Sequence, residues 1–345
     1  MTLSADRRRA LERFVAAHLA PHPFTLAPAS ADASFRSYWR ATCADGAATH
    51  SVVAMNAPPD KEPLEPWLEI DRRLRAAGLH APEVLAVDRG QGFVLMEDLG
   101  ARIYLAELND ASVDALYADA FAALLRMQTA VDVQGLPRYD EGRLVAELEL
   151  MPEWFLRRHL GVAIACEEWD TIELAFRRLV AEALAQPRAF VHRDFHSRNL
   201  LIVAQNNPGI IDFQDAVDGP ITYDLVSLLR DCYIVWDEAR IDAWVETYRQ
   251  RLAAAGVARV EPARFRRWFD WMGLQRHLKV LGIFCRLWYR DGKPQYLGDL
   301  PRVWRYTLRV ARRYAEFAAL ADLLERAVDG RDLARPASAA LAAAP

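Results

Sequence analysis

Apolar positions recur at helical spacing near the start of the chain: Leu11, Phe14, Val15 and Leu19 fall on one side of a helix predicted over Ser4–Leu19. Two strand-like runs follow, Ser34–Thr42 and Ser51–Met55. Helical spacing returns over Lys61–Ala77 and stops at Gly78, a usual helix terminator. Glu83–Val87 and Gly92–Glu97 read as two more strands. This order predicts a small antiparallel sheet with a packed helix.

Beyond residue 100 the pattern is helical. Ala111–Ala130 places Leu116, Ala120, Leu124 and Met127 on one side, and further helices are expected near Leu144–Leu160, Glu167–Ala185, Tyr223–Tyr233, Ile241–Ala254 and Phe265–Arg290. One β-flavoured patch interrupts them, in the strings AFVHRDF, LLIV and GIIDF. Charged residues at the ends of such strands project into clefts, whereas helix interiors mostly bury or solvate theirs. The expected division is an N-terminal lobe over 1–99 and a larger lobe over 100–333. The low-complexity tail 334–345, ARPASAALAAAP, is expected to be disordered.

The β patch carries the candidate chemistry. His192-Arg193-Asp194-Phe195-His196-Ser197-Arg198-Asn199 matches the kinase catalytic loop, H-R-D with Asn five positions after the Asp. Asp212 follows at the end of GIID, where kinases carry a metal-binding carboxylate. Phosphoryl transfer needs Mg²⁺ to neutralise the phosphate oxygens, and Mg²⁺ prefers hard oxygen ligands such as the Asn199 amide and the Asp212 carboxylate. A third carboxylate must face the acceptor hydroxyl without being consumed by metal, and Asp194 fits that role as catalytic residue. His192 is read as holding the loop through hydrogen bonds. His196 stays open between substrate contact and loop packing, and Asp215 between a second acid near the metal and a solvated one.

Composition narrows the class. The chain has 345 residues, 52% hydrophobic and 26% charged, enough for two cores. A formal charge of −4 lacks the basic excess of a nucleic-acid binder. No apolar run is long enough for a membrane span, and MTLSADRRRALERF has no apolar segment that would make it a secretory signal. The four dispersed cysteines fit a reducing compartment. The expectation is a cytoplasmic enzyme with a small-molecule substrate and with no nucleic-acid, membrane or obligate protein partner.

At the catalytic loop the chain resembles the aminoglycoside phosphotransferase-like kinases, over about Ala31–Val310. Within that family, ADASFRSYWR, GFVLMEDLG, VHRDFHSRNLL and RHLKVLGIFCRLWYRDGK are similar to the bacterial anomeric kinases of N-acetylmuramate and N-acetylglucosamine. The resemblance implies an α+β, protein-kinase-like two-lobed fold, with a small antiparallel-sheet N-lobe, a mainly helical C-lobe, and ATP and Mg²⁺ between them. It implies phosphorylation at the sugar C1 hydroxyl in cell-wall recycling. The alternatives are another small-molecule kinase of the family, acting on an aminoglycoside, choline or a related amine, and a catalytically inactive nucleotide-binding regulator. A protein kinase fits least, because the V-A-I-K, G-x-G-x-x-G and A-P-E strings are absent and Asp212-Phe213-Gln214 replaces D-F-G.

The same resemblance assigns contacts. Ser34 and Arg36 belong to the phosphate-covering loop, with Ala31 where such loops often carry glycine. The phosphate-gripping strand lysine would fall near Met55, so Lys61 becomes its stand-in, with Glu65 or Glu69 as partner; a solvated helix face is the other reading. Glu97 and Leu99 belong to the adenine-binding hinge. His196, Arg276, Lys279, Arg286 and Arg290, among the aromatics of the late helical segment, form the candidate sugar site, since sugars take polar groups around their hydroxyls and an aromatic face against the ring. A basic amphipathic helix face explains the same charges.

Overall fold

A computed structural model describes residues 3–31, 35–45 and 48–336. Two compact units emerge: Met1–Ala123 with Arg198–Asp215, and Leu124–Ser197 with Ala216–Pro345.

In the first unit, helix α1 (Ala5–Leu19) is capped by the Ser4 hydroxyl, which accepts from the Arg7 amide, with Asp6 in the first turn. Its Leu11, Phe14 and Val15 pack against Trp39, Ala41, Ala54, Phe93 and Leu95 of a five-stranded sheet. The strands are β1 (Phe24–Ala31), β2 (Ser37–Asp45), β3 (Ala48–Asn56), β4 (Val84–Asp88) and β5 (Phe93–Glu97), in order β1-β2-β3-β5-β4, every neighbour antiparallel. Strand β1 was not expected from sequence. FTLAPASA alternates only over its first few residues and contains Pro28, which is tolerated because β1 is an edge strand whose register shifts between Pro28 and Ser30.

Helix α2 (Glu65–Ala76) begins four residues later than expected. The amides of Lys61 and Glu62 both donate to Pro58 O, forming a turn. Pro63 disfavours the α region at Glu62, whereas Pro66 is accommodated in the first helical turn. Gly78 follows the helix with φ 75°, a left-handed conformation that glycine adopts without strain.

Next come α3 (Tyr104–Glu107) and α4 (Val113–Ala130), within which the division between the units falls. The β patch resolves into β6 (Arg188–Val191), β7 (Leu200–Leu201), β8 (Gly209–Ile210) and β9 (Val217–Pro220). β7 and β8 form a short hairpin in the first unit, and β6 pairs with β9 in the second.

The second unit is otherwise helical: α5 (Glu141–Leu148), a π-helix (Met151–His159), α6 (Cys166–Leu184), α7 (Tyr223–Leu229), α8 (Glu238–Ala254), α9 (Pro262–Tyr289), α10 (Leu300–Arg313) and α11 (Ala318–Val328). The single helix expected over Leu144–Leu160 is therefore two, with Pro152 in the first turn of the second. The helix expected to reach Tyr233 stops at Leu229, which puts Asp231, Cys232 and Tyr233 in a loop. Helix α9 is the axis of this unit, with buried side chains on nearly every turn. A Cβ on Gly282 would come within 2.3 Å of the Leu150 backbone, so this α9 glycine permits close approach of the chain just before the π-helix.

Ser34 and its loop neighbours Asp32 and Ala33 lie outside the described residues, as do 337–345 of the tail.

Candidate active site

The first unit contains a cavity of about 350 Å³. Val53 of β3, Met96 of β5, Leu99, Leu201 of β7 and Ile211 line it, together with the polar Arg40, Asn199 and Asp212. Apolar walls with a few polar groups suit a flat heteroaromatic ring attached to a charged group. The chain after β5 forms part of the wall and is rigidly held. Arg40 donates twice to the buried Asp98 carboxylate, at 2.5 and 2.9 Å, and once to Gly100 O at 3.0 Å. Burial alone would raise the Asp98 carboxyl, but the hydrogen bonds from Arg40, Ser51 and the Gly100 amide outweigh it and hold the group below its ordinary value. Glu97 also lines the cavity, yet its carboxylate is engaged elsewhere, by His80 Nε2 at 3.0 Å and the Glu83 amide at 3.1 Å.

Around the phosphate-loop region, Arg36 pairs with Glu62 at 2.9 Å, both side chains largely buried, and the Phe35 amide donates to the same carboxylate at 3.1 Å. Lys61 is exposed, its ammonium 4.8 Å from the Phe35 ring centroid. The glutamates expected beside Lys61 are bound by other residues, Glu69 by Arg72 and Arg73 and Glu65 by Arg89. Glu62, three residues before α2, is the acid that organises this segment. Met55 is fully buried in β3.

The β7–β8 hairpin sets the spacing of Asn199 and Asp212, which stand just outside its two strands. The Ile211 amide donates to Asn199 O at 3.2 Å, and Asn199 Nδ2 donates to Asp212 Oδ2 at 3.2 Å. Gln214 Nε2 donates to the other oxygen at 2.8 Å. Asp212 has φ 65°, a strained conformation for a non-glycine residue, which turns its carboxylate out of the strand line. Turning over the Asn199 amide would bring its oxygen beside that carboxylate, the hard-oxygen pair a small divalent cation takes. Among the described residues no group of three or more His, Cys, Asp or Glu could hold a metal without further ligands.

Asp194 belongs to the second unit and is half-buried. Two carboxylates fasten its loop. Asp224, fully buried at the start of α7, accepts from the His192 amide at 2.6 Å and the Arg193 amide at 3.0 Å. Asp231 accepts from the Ser197 amide at 2.9 Å and its hydroxyl at 2.5 Å. Arg193 sits at φ 77° and is held there by its amide bond to Asp224 and by an ion pair from its guanidinium to Glu147. Burial would raise the Asp194 carboxyl, but the charges of His196, Lys279, Arg276 and Arg193 outweigh it and keep the group below its ordinary value. Asp194 is thus an ionised carboxylate, able to orient a hydroxyl and accept its proton.

Glu147 of α5 gathers the cations. It takes Lys279 Nζ at 2.8 Å, Arg193, the Tyr139 hydroxyl and Gln275 Nε2 at 3.3 Å. Lys279 also donates to the Tyr223 hydroxyl at 3.0 Å, and Arg276 lies against Cys232 Sγ at 3.5 Å. The fold therefore brings His196, Arg276 and Lys279 of the candidate sugar site around Asp194. Arg286 and Arg290 group together farther along α9, with Arg290 exposed and paired to Asp291 at 2.8 Å. Sequence reasoning did not single out Asp224, Asp231 or Glu147. The usable signal was an acid within an apolar run, as in ITYDLVSLL and VAELEL.

A sheet unit with a nucleotide-sized cavity and a helical unit with an H-R-D loop define a protein-kinase-like phosphotransferase. The phosphotransferase enzyme family matches over residues 25–266, and the chain belongs to it. It is 44% identical over 301 residues to a protein of Pseudomonas putida named N-acetylmuramate/N-acetylglucosamine kinase, covering 87% of both chains. It is likewise 44% identical over 313 residues to a protein of that name in Pseudomonas aeruginosa, covering 90% of each. In fold it is similar to the ADP-bound aminoglycoside phosphotransferase APH(2'')-Ib, with a TM-score of 0.58 and 16% identity over 89% of this chain and 99% of that one. The protein is a kinase. Among the described residues no helix is long and apolar enough to cross a membrane.

Proposed function

We propose that this kinase transfers the γ-phosphoryl group of ATP to the anomeric C1 hydroxyl of N-acetylmuramate or N-acetylglucosamine, in the cytoplasm, as part of cell-wall recycling. The names of the 44%-identical relatives support the substrate. The single geometric observation that carries the reading is Asp194, a half-buried carboxylate kept ionised among Arg193, Arg276 and Lys279.

Asn199 and Asp212 would hold Mg²⁺, which when bound neutralises phosphate oxygens. The Val53, Met96 and Leu99 walls would take the adenine. Arg36, paired to Glu62, would exchange that carboxylate for a phosphate oxygen as part of the phosphate-covering loop. Asp194 orients the acceptor hydroxyl for in-line attack and takes its proton as the oxygen bonds to the γ-phosphorus, while the bond from that phosphorus to the bridging oxygen breaks and ADP leaves. An anomeric hydroxyl is more acidic than other sugar hydroxyls, so a carboxylate of depressed pKa suffices, and a loose transition state asks little of the base until late.

The test is ATP consumption against a panel of amino sugars and cationic amines, followed by phosphorus NMR of the product. A sugar 1-phosphate is non-reducing, labile in mild acid and shows phosphorus coupling to the anomeric proton. A reducing, acid-stable product would sink the C1 assignment. Turnover of the amines alone would sink the sugar assignment.

A further inference from the structure

Beside the Asp194 loop a line of aromatic side chains runs through the second unit. The His196 and Tyr233 rings lie 5.4 Å apart and nearly perpendicular, at 76°. Tyr233 is 6.4 Å from Phe284 of α9, and Phe284 is 5.3 Å from Tyr296. Phe284 is buried, whereas Tyr233 and Tyr296 are half-buried, so part of each tyrosine surface stays open.

The position of Tyr233 is tied to the catalytic loop through one carboxylate. Asp231 Oδ2 takes the Ser197 amide and hydroxyl, and Asp231 Oδ1 takes the Tyr233 amide at 3.0 Å. The loop that carries Asp194 and the backbone of Tyr233 are therefore held by the same side chain. The residue between them, Cys232, rests against the Arg276 guanidinium, one of the cations that act on Asp194. An aromatic surface, a guanidinium and the catalytic carboxylate are thus indexed to each other within a few residues of chain.

This combination suits a pyranose. Such a ring presents C–H groups on its faces and hydroxyls at its edge, so it is recognised by an aromatic side chain beneath it and polar groups around it. Resting on the sugar-kinase reading above, we propose that Tyr233 is the platform on which the acceptor sugar lies, setting the height and tilt at which one hydroxyl meets Asp194. Tyr233 is a specificity-determining residue that supplies contact area, and no proton passes through it.

The experiment is steady-state kinetics of the full chain and its Tyr233→Ala, Tyr233→Leu and Tyr233→Phe variants, with KM measured separately for sugar and for ATP. Loss of the ring's contact area should raise the sugar KM by roughly 10- to 100-fold in the Ala and Leu variants, the range one lost apolar contact commands in a binding pocket. The KM for ATP should stay within about threefold of wild type, because removing the platform leaves the nucleotide's contacts in place. Tyr233→Phe should keep the sugar KM close to wild type, because it keeps the ring face. Leu fills space without a flat face, so it separates stacking from packing should the Ala variant fail to fold. An unchanged sugar KM in the Leu variant, or a Phe variant as impaired as Leu, overturns the platform while leaving the sugar-kinase reading intact. A wild-type protein that phosphorylates no sugar overturns both, and that result is read before any variant is made.

Discussion

Asp194 stands among cations that hold its carboxyl below the ordinary value, on a loop fastened by Asp224 and Asp231. Asp194→Asn keeps the size of the side chain but cannot take a proton. It should fold normally and lose roughly 10² to 10⁴ in kcat, and turnover within a few-fold of wild type would remove Asp194 from the role. Asp224 makes the more specific demand. Burial, opposed by the two amide bonds and reinforced by the Asp194 charge, pushes its carboxyl up to about 7. Only the ionised form offers two acceptor oxygens to His192 and Arg193, so kcat should fall on the acid side with an apparent pKa near that value. Asp224→Asn should lower kcat and remove that limb. Burial acts on stability with the opposite sign. An unfolded aspartate titrates near ~4, so the contribution of Asp224 is full below that pH and is lost as pH rises towards 7. A pH–rate profile identical in wild type and Asp224→Asn would refute the assignment. The spacing of His192, Arg193, Asp194 and Asn199 made the loop itself legible in sequence, whereas the acids that fasten it were not, since a buried acceptor of backbone amides leaves no spacing rule.

At the scale of elements, α2, α4, α6, α8 and α9 followed the apolar period to within a few residues. The departures have local causes: prolines reset the start of α2 and split the expected Leu144–Leu160 helix, and an edge strand with a bulge hid β1. The link between α5 and α9 could not be read in advance, because Glu147 and Lys279 are 132 residues apart. Removing one partner of a buried pair leaves the other charge without compensation. Glu147→Ala strands both Lys279 and Arg193 and should cost about 3–5 kcal/mol, read as a lower denaturation midpoint at unchanged slope. Adding Lys279→Met should recover part of that loss, since the two changes share a partner. Strictly additive losses would mean that the α5–α9 link is not energetically coupled. The low Glu147 carboxyl, near 2 against burial because of Lys279 and Arg193, keeps this contribution intact at neutral pH; it is lost only as pH falls from the ordinary glutamate range towards 2.

For the molecule as a whole, the division into units does not follow chain order, and this leads to a prediction on where each ligand acts. Residues 198–215 lie in the middle of the sequence yet belong with the N-terminal sheet, and they bring Asn199, Leu201, Ile211 and Asp212 to the cavity of that unit. Every residue lining the cavity lies in the first unit, whereas Asp194, Tyr233, Arg276 and Lys279 lie in the second. A ligand slows amide exchange most where its contacts suppress local opening, and it stabilises only the states that bind it. Mg²⁺-ATP should therefore protect amides in β3, in β5 and the chain after it, and in the β7–β8 hairpin. The sugar should protect the 192–197 loop, 231–233 and the second half of α9. Hydrogen exchange read by mass spectrometry, with each ligand alone, separates the two sets, because peptides 192–197 and 198–215 are neighbours in sequence but fall on opposite sides of the division. Protection by the nucleotide centred on α9, or by the sugar centred on β3 and β5, would reverse the assignment of donor and acceptor to the units. The kinase family would stand even so, and the substrate contacts proposed for Tyr233 and Arg276 would not.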